Sequence, residues 1–387
     1  MGNWTVPPPK LDPEQKAFLE KYLPTGKNYW ISGFPGSGKS TLLAHAIRII
    51  KADNPNAIIL VVVFTRSLIK MFDAAFKEMG LENIEIETMF KFMDHPSHYD
   101  FILCDEVQDL TPRIIKELSN YSSCLIVGGD ENQSIYTRDP RYKESTVDPH
   151  QITKMIGGEA YPLTIVHRLS PPIQHSIQRL IPSLRLAKGL TNTADHQTQI
   201  RLCHSESKDT EVKYIWNEAI KAPKIGKTSA ILFPNQQTVV DFVQNILRLE
   251  NKDKWIPMTN RYGKMDFGDM NNHLSEQNIK IQYVGNGYGS FDITNNVYIM
   301  TFYSAKGLDF DNVFLPDIDY RLDITTSLSL SKRIFMVAMT RSRNNLYVCY
   351  AGNPHSFVNC ISADKKDFVE VNIEKVLTPT TSGPIGF

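Results

Sequence analysis

The sequence has few cysteines, no long apolar run and no surplus of charge, and each shortage removes a class of function. Its five cysteines, Cys104, Cys124, Cys203, Cys349 and Cys360, form no CxxC pair. Two of them sit in apolar, strand-like runs, so they read as reduced core thiols of an intracellular protein, and no zinc site is expected. No stretch approaches the roughly 20 apolar residues of a membrane span. The N-terminus, MGNWTVPPPKLD, has no apolar signal core, and Val6 stands where a myristoylation signal needs Ser or Thr. The expectation is a soluble, cytoplasmic protein with no membrane partner. Basic and acidic residues number 42 each, so any nucleic-acid binding must come from a local basic groove and not from the field of the whole molecule. There is no internal repeat at solenoid spacing. The one low-complexity piece, LTPTTSGPIGF (377–387), reads as a mobile end.

What is present is a chain of 387 residues, 42% of them hydrophobic, enough for two or three packed domains. The run AIILVVVF (57–64) and the run FILC (101–104) read as buried parallel strands. The second ends abruptly in CDEVQD, which puts Asp105, Glu106 and Asp109 at the C-terminal end of a strand, where open α/β sheets bind ligands. Upstream, NYWISGFPGSGKSTLLAHAIRIIKA (28–52) holds GxxxxGK[ST] as Gly33, Gly38, Lys39 and Ser40, after a short strand and before an amphipathic helix. In that context backbone N–H groups turn onto phosphate oxygens, the helix N-terminus adds positive charge, and Lys39 reaches the outer phosphates. Ser40 can hold Mg²⁺ by its hydroxyl. Asp105 completes the shell through water, because Mg²⁺ binds few carboxylates and keeps several waters. Glu106 is then free to act as the base for an attacking water, and Asp109 anchors the loop.

Beyond this pair, the chain resembles superfamily 1 helicases of the UvrD/Rep/PcrA type, with motifs in the right order along most of its length. LDPEQ (11–15) resembles the Q motif, which implies that Gln15 reads adenine. GFPGSGKST is similar to their phosphate loop, and implies nucleotide contacts for Gly36, Ser37 and Thr41 as well. VVFTRSLIKMF (62–72) and ETMFKF (87–92) resemble the motifs that place Phe64, Thr65 and Thr88 at DNA. CDEVQD carries the DExQD signature. LIVGGDENQSIY (125–136) resembles VGDxxQSIY, in which Gln133 would sense the γ-phosphate and Tyr136 would face nucleic acid. LTIVHRLS (163–170) resembles LxxNYRS and implies Arg168 as a first arginine finger. VYIMTFYSAKGLDFDNVFLP (297–316) resembles MTxHxAKGLEFDxVFL. It puts Gly307 and Asp309 near ribose and phosphates, and Thr301 and Tyr303 at nucleic acid. RIFMVAMTRSRNNLYV (333–348) resembles RLxYVAxTRAxxxL and implies Arg341 as a second finger. Arginine fingers are worth 10³–10⁵ in rate in phosphoryl transfer. Arg168 and Arg341 lie so far down the chain from Lys39 that a site using all three must be a cleft between two lobes.

Departures from the pattern are informative. His167 replaces the tyrosine that stacks on adenine, and it offers less stacking area. Arg138 stands near the usual base platform, where its planar guanidinium can still stack. The family inserts one accessory subdomain between the Thr88 motif and the DExQD strand, but here only 16 residues separate Thr88 from Asp105. The second insertion, before AKGLDF, is also missing. What is left is a two-lobe motor with one polar excursion, NKDKWIPMTNRYGKMDFGDMNNHLSEQN (251–278). Its mixture of Lys254, Arg261 and Lys264 with Trp255, Tyr262 and Phe267 suits single strands, although a solvated loop whose aromatics pack on their own lobe is the preferred reading.

The expected fold is therefore α/β: two RecA-like lobes, each a mainly parallel sheet flanked by helices, with the ATP site in the cleft between them. The expected domains are 1–160, 161–365 with the excursion at 251–278, and a partly flexible C-terminal extension at 366–387. The expected function is an ATP-dependent translocase or helicase on single-stranded DNA or a tailed duplex, 3′ to 5′ by resemblance, using ATP and Mg²⁺ and working with a partner that supplies the missing duplex-engaging surface. The alternative is a DNA-stimulated ATPase serving as switch or effector subunit beside a nuclease or other protein in a bacterial defence or repair complex. A nucleotide-dependent binding module without useful hydrolysis is disfavoured, since a pure binder needs neither a base nor two fingers.

Overall fold

The computed structural model describes residues 6–136, 138–139, 141–167, 169–184, 199–291 and 296–378. Thirteen named strands, β1 (Tyr29–Gly33), β2 (Ile59–Val63), β3 (Glu85–Thr88), β4 (Tyr99–Cys104), β5 (Ser122–Gly129), β6 (Glu159–Leu163), β7 (Gln199–Ser205), β8 (Ser229–Phe233), β9 (Ile281–Tyr283), β10 (Val297–Thr301), β11 (Phe310–Leu315), β12 (Ser342–Ala351) and β13 (Phe368–Asn372), form two sheets. Their orders are β3-β2-β4-β5-β1-β6 and β13-β7-β12-β11-β8-β10-β9. Every pairing in both is parallel. The chain divides accordingly into two units, one running up to Leu169 and one taking Ser170–Ser183 and the residues from Gln199 on. Each is a RecA-like lobe, as expected. The break anticipated after residue 160 falls inside β6, whose Glu159–Leu163 is the edge of the first sheet beside β1.

The sequence of each strand explains its place. β2 (ILVVV), β8 (SAILF) and β10 (VYIMT) are buried at every position, which is what a parallel strand covered on both faces requires. Helices follow with side-chain caps: Thr65 accepts from the N–H of Leu68, Thr88 from that of Lys91 and Thr111 from that of Ile114. Each cap satisfies a backbone donor that the first turn leaves open. Because caps sit where strands end, β2 and β3 finish side by side with Val63 opposite Thr88. Between Thr88 and β4 there is only the helix Met89–Asp94, so nothing the size of a subdomain enters the chain at this point.

The polar excursion of the second unit is more ordered than its composition implies. Trp255 is 2% exposed and belongs to the main core of that unit, where its indole N–H donates to Asp269 at 2.8 Å. Phe267 stacks on Tyr283, with ring centroids 3.8 Å apart. Asp266 caps a helix, Phe267–Glu276, through bonds from the N–H groups of Gly268 and Asp269. The preferred reading of a lobe-packed segment therefore holds for two of its three aromatics. Tyr262, 70% exposed with Arg261 lying 4.8 Å over its ring, is outside the core. The C-terminal extension also contributes: β13 pairs with β7, and Ile373 in the following short helix is fully buried. Residues 379–387 lie outside the described set.

Four cysteines are buried and none is in a disulfide. Among the described residues no helix is long and apolar enough to cross a membrane. Trp255→Ala should cost about 3–5 kcal/mol in urea unfolding, since it empties a large core volume and orphans Asp269. Tyr262→Ala should stay within about 0.5 kcal/mol. Equal losses would show that the excursion folds differently.

Candidate nucleotide site

In the first unit the phosphate loop joins β1 to the helix Lys39–Asp53, and its backbone needs glycine at two turns, Gly36 at φ +79° and Gly38 at φ +80°. A Cβ on Gly38 would come within 2.3 Å of the Gln15 amide, and one on Gly33 within 2.4 Å of Ser37 Oγ. The hydroxyl of Ser37 is buried in the loop with no hydrogen-bond partner among the described residues. A phosphate oxygen is the kind of acceptor that such an orphan donor fits. Lys39 is buried and folds back, its ammonium donating to the carbonyls of Gly33 at 2.8 Å and Phe34 at 3.1 Å. Ser40 and Thr41 occupy the first turn of the helix.

β4 brings its terminal carboxylates to the same loop. Ser40 Oγ donates to Asp105 Oδ2 at 2.5 Å, and Asp105 Oδ1 accepts from the Glu106 N–H at 2.9 Å. Burial and the neighbouring Glu106 charge push the Asp105 carboxyl up to about 6, against the opposing pull of Ser40 and Lys39. A hydroxyl and a buried carboxylate side by side form the hard-oxygen pair that suits Mg²⁺. Glu106 is buried in a left-handed backbone conformation, φ +58° and ψ +39°, a strained choice for a residue with a side chain. Asp109 is fully buried, and its N–H closes the turn onto the Glu106 carbonyl at 3.1 Å.

The end of β5 lies beside them. Asp130 accepts from Gln133 Nε2 at 3.0 Å and from the N–H of Asn132 at 2.9 Å, and burial raises its pKa. Three residues beyond Gln133, the Tyr136 ring packs against that of Phe64, the residue before the cap Thr65, with centroids 4.5 Å apart. Two of the sequence-derived nucleic-acid candidates are thus in contact, and Thr88 ends the strand adjacent to β2. Arg138 is exposed, in a bridge with Ser145.

The adenine-end candidates converge on a residue that sequence reasoning missed. Asp12 caps the first helix in a reciprocal capping box with Gln15, and its second oxygen lies 2.6 Å from His167 Nε2. The Gln15 amide donates to the Ser37 carbonyl at 3.3 Å, and the His167 N–H donates to the Gly36 carbonyl at 2.9 Å. The signal was available in LDPEQ, where Asp followed by Pro and then Gln three residues on is a helix-start pattern. Arg168 lies outside the described residues.

In the second unit, Thr301 ends β10 and exchanges hydrogen bonds with Ser304. Tyr303 is half-buried, which raises its hydroxyl pKa. Gly307 takes φ +79°, and Asp309 is ion-paired with Arg343. Arg341 is fully interior, its guanidinium donating to the carbonyls of Val337 at 2.9 Å and Leu308 at 3.1 Å and to Thr340 Oγ1 at 2.9 Å. Arg343, two residues on in the same motif, was not singled out from sequence and is the more exposed of the two.

The Asp12 carboxylate is held below its usual range. Burial works to raise it, but the His167 hydrogen bond and the N–H groups of Gln15 and Glu14 outweigh burial. A depressed folded-state pKa contributes stability that is present above the unfolded value of 3.8 and lost as pH falls through the folded value. Asp12→Asn keeps a comparable helix cap and replaces the charged oxygen facing His167 with a neutral amide NH₂. Its melting temperature should sit below the parent's at neutral pH, and the gap should close below the unfolded value. A gap that stays constant down to acid pH would contradict the assignment.

Two family models match successive stretches of the chain, the first running past the boundary between the units. Residues 29–214 match the viral superfamily 1 RNA helicase core domain, and residues 244–353 match the UvrD-like helicase C-terminal domain. No curated protein matches the chain. Among solved structures, arterivirus nonstructural protein 10 (helicase) in complex with DNA aligns at 15% identity and a TM-score of 0.45, over 90% of this chain and 65% of its own. The chain thus spans less than two thirds of that protein's length. The C-terminal domain of a possible DNA helicase from Lactobacillus plantarum aligns at 10% identity and a TM-score of 0.35, over 53% of this chain and 98% of its own. The chain thus carries, in order, a stretch that matches a superfamily 1 helicase core and a stretch that matches a UvrD-like helicase C-terminal domain.

Proposed function

We propose that this chain is a nucleic-acid-stimulated, Mg²⁺-dependent ATPase of the helicase type that translocates along single-stranded DNA. One observation carries the reading: the Ser40 hydroxyl, the Asp105 carboxylate, the Glu106 carboxylate and the Lys39 ammonium gather at one loop and one strand end. Bound Mg²⁺, held by Ser40 and, through water, by Asp105, would supply charge neutralisation between the phosphates. Lys39 would leave its two loop carbonyls for the outer phosphates, and the free Ser37 hydroxyl supports a phosphate in the cradle. Glu106 takes the proton of a water whose oxygen bonds to the terminal phosphorus as the bond from that phosphorus to the ADP oxygen breaks.

Phe64, Thr65, Thr88, Tyr136 and Arg138 supply the nucleic-acid contacts of the first unit in this reading, and Thr301 and Tyr303 those of the second. Gln15 and His167 serve the base, while Gly307, Asp309 and the two arginines, Arg168 and Arg341, serve the ribose and phosphates. The short link between Thr88 and β4 leaves no room there for a subdomain that grips a duplex, which supports a partner protein for unwinding, or a nuclease for which this chain is the motor or switch.

Lys39→Ala and Glu106→Gln separate the two halves of the proposal. The first should weaken ATP binding, as read by a fluorescent nucleotide analogue. The second should bind as the parent does yet release phosphate about 10²–10⁴-fold more slowly. Parental phosphate release by Glu106→Gln would remove Glu106 as the base.

A further inference from the structure

The Gln108 side chain is fully buried between the ends of β4 and β5 and uses both ends of its amide. Its Nε2 donates to Glu106 Oε2 at 2.6 Å, and its Oε1 accepts from the Asp130 N–H at 3.1 Å. The orientation is forced, because only the oxygen can accept from a backbone N–H and only the NH₂ can donate to a carboxylate. Asp130 continues the chain of bonds: its carboxylate accepts from Gln133 Nε2 at 3.0 Å, and its carbonyl accepts from the Gln133 N–H at 3.1 Å. Gln133 begins the loop that presents the Tyr136 ring to Phe64. Gly129 is shaped around this amide, since a Cβ there would come within 2.1 Å of Gln108 Oε1.

We infer that Gln108 is a positioning residue that fixes the Glu106 carboxylate and ties it, through Asp130, to the loop carrying Gln133 and Tyr136. The inference rests on the reading of Glu106 as the base. Glu106 is buried in a left-handed backbone conformation, and the Gln108 amide holds one oxygen of its carboxylate in place. A shift of nucleic acid against Phe64 and Tyr136 then reaches the base through one loop and one amide. A merely structural role, stapling β4 to β5, would need the Asp130 bond but not the bond to Glu106.

Two variants divide these roles. Gln108→Glu keeps an acceptor for the Asp130 N–H but presents oxygen to Glu106. Gln108→Met keeps the volume and loses both bonds. Phosphate release at saturating ATP, with and without oligo-dT, is measured beside affinity for a nucleotide analogue and melting temperature, with Glu106→Gln in parallel. In both variants the stimulated rate should fall at least about ten-fold, as small misplacements of a catalytic group do, and the basal rate should fall less, while analogue affinity stays parental. If Gln108→Met does not fold, Gln108→Glu decides. A parental stimulated rate in a folded variant overturns the inference, and an equal fall in both rates overturns the link to the Tyr136 loop. If Glu106→Gln itself turns over at the parental rate, the reading of the base has failed instead. If oligo-dT does not stimulate the parent, the nucleic-acid link has failed, and the basal rates alone decide whether Gln108 holds Glu106.

Discussion

Three carboxylates buried at the ends of neighbouring strands, Asp105, Glu106 and Asp130, are the constraint on which the first unit depends. Charge taken out of water without compensation is costly, and like charges close together make it worse. The structure answers with specific partners: Ser40 on Asp105, Gln108 on Glu106, and Gln133 with Asn132 on Asp130. Burial and the neighbouring Glu106 charge still push the Asp105 carboxyl up despite the Ser40 bond. A fold maintained only for stability would have no reason to keep this arrangement, which is weak evidence for stability and good evidence for function.

The rest of the unit serves to bring these groups to one place. Parallel strands put their C-terminal ends on one edge, so the loop after β1 and the turns after β4 and β5 meet by topology. The Asp12 capping box, the Gln15 amide and the His167 N–H lace the start of the chain and its residue 167 to the same phosphate loop. That lacing uses Gln15 and His167 as structural partners of the loop, a role additional to any contact with a base.

The strands β1, β2 and β4, the phosphate loop and the carboxylate strand end were legible in the sequence, because buried parallel strands are continuous apolar runs and GxxxxGK[ST] has one mechanical meaning. The helix Phe267–Glu276 was not, since a stretch rich in Asn, Asp and Lys masks three apolar positions, Phe267, Met270 and Leu274, at helical spacing. Gln108 was visible as part of DEVQD but not as a participant: its role depends on the N–H of Asp130, which only sheet pairing brings near. The setting of Arg341 was invisible for a similar reason, as its acceptors include the carbonyl of Leu308, far away in the chain.

Coupling between hydrolysis and nucleic acid is the central claim, and steady-state phosphate release from ATP and Mg²⁺ with no polymer, with oligo-dT and with oligo-U tests it most directly. The account predicts slow release alone and at least several-fold faster release with oligo-dT, with a stimulation that weakens as salt is raised, because phosphate contacts release counterions. A rate indifferent to both polymers, or raised by oligo-U alone, would contradict it.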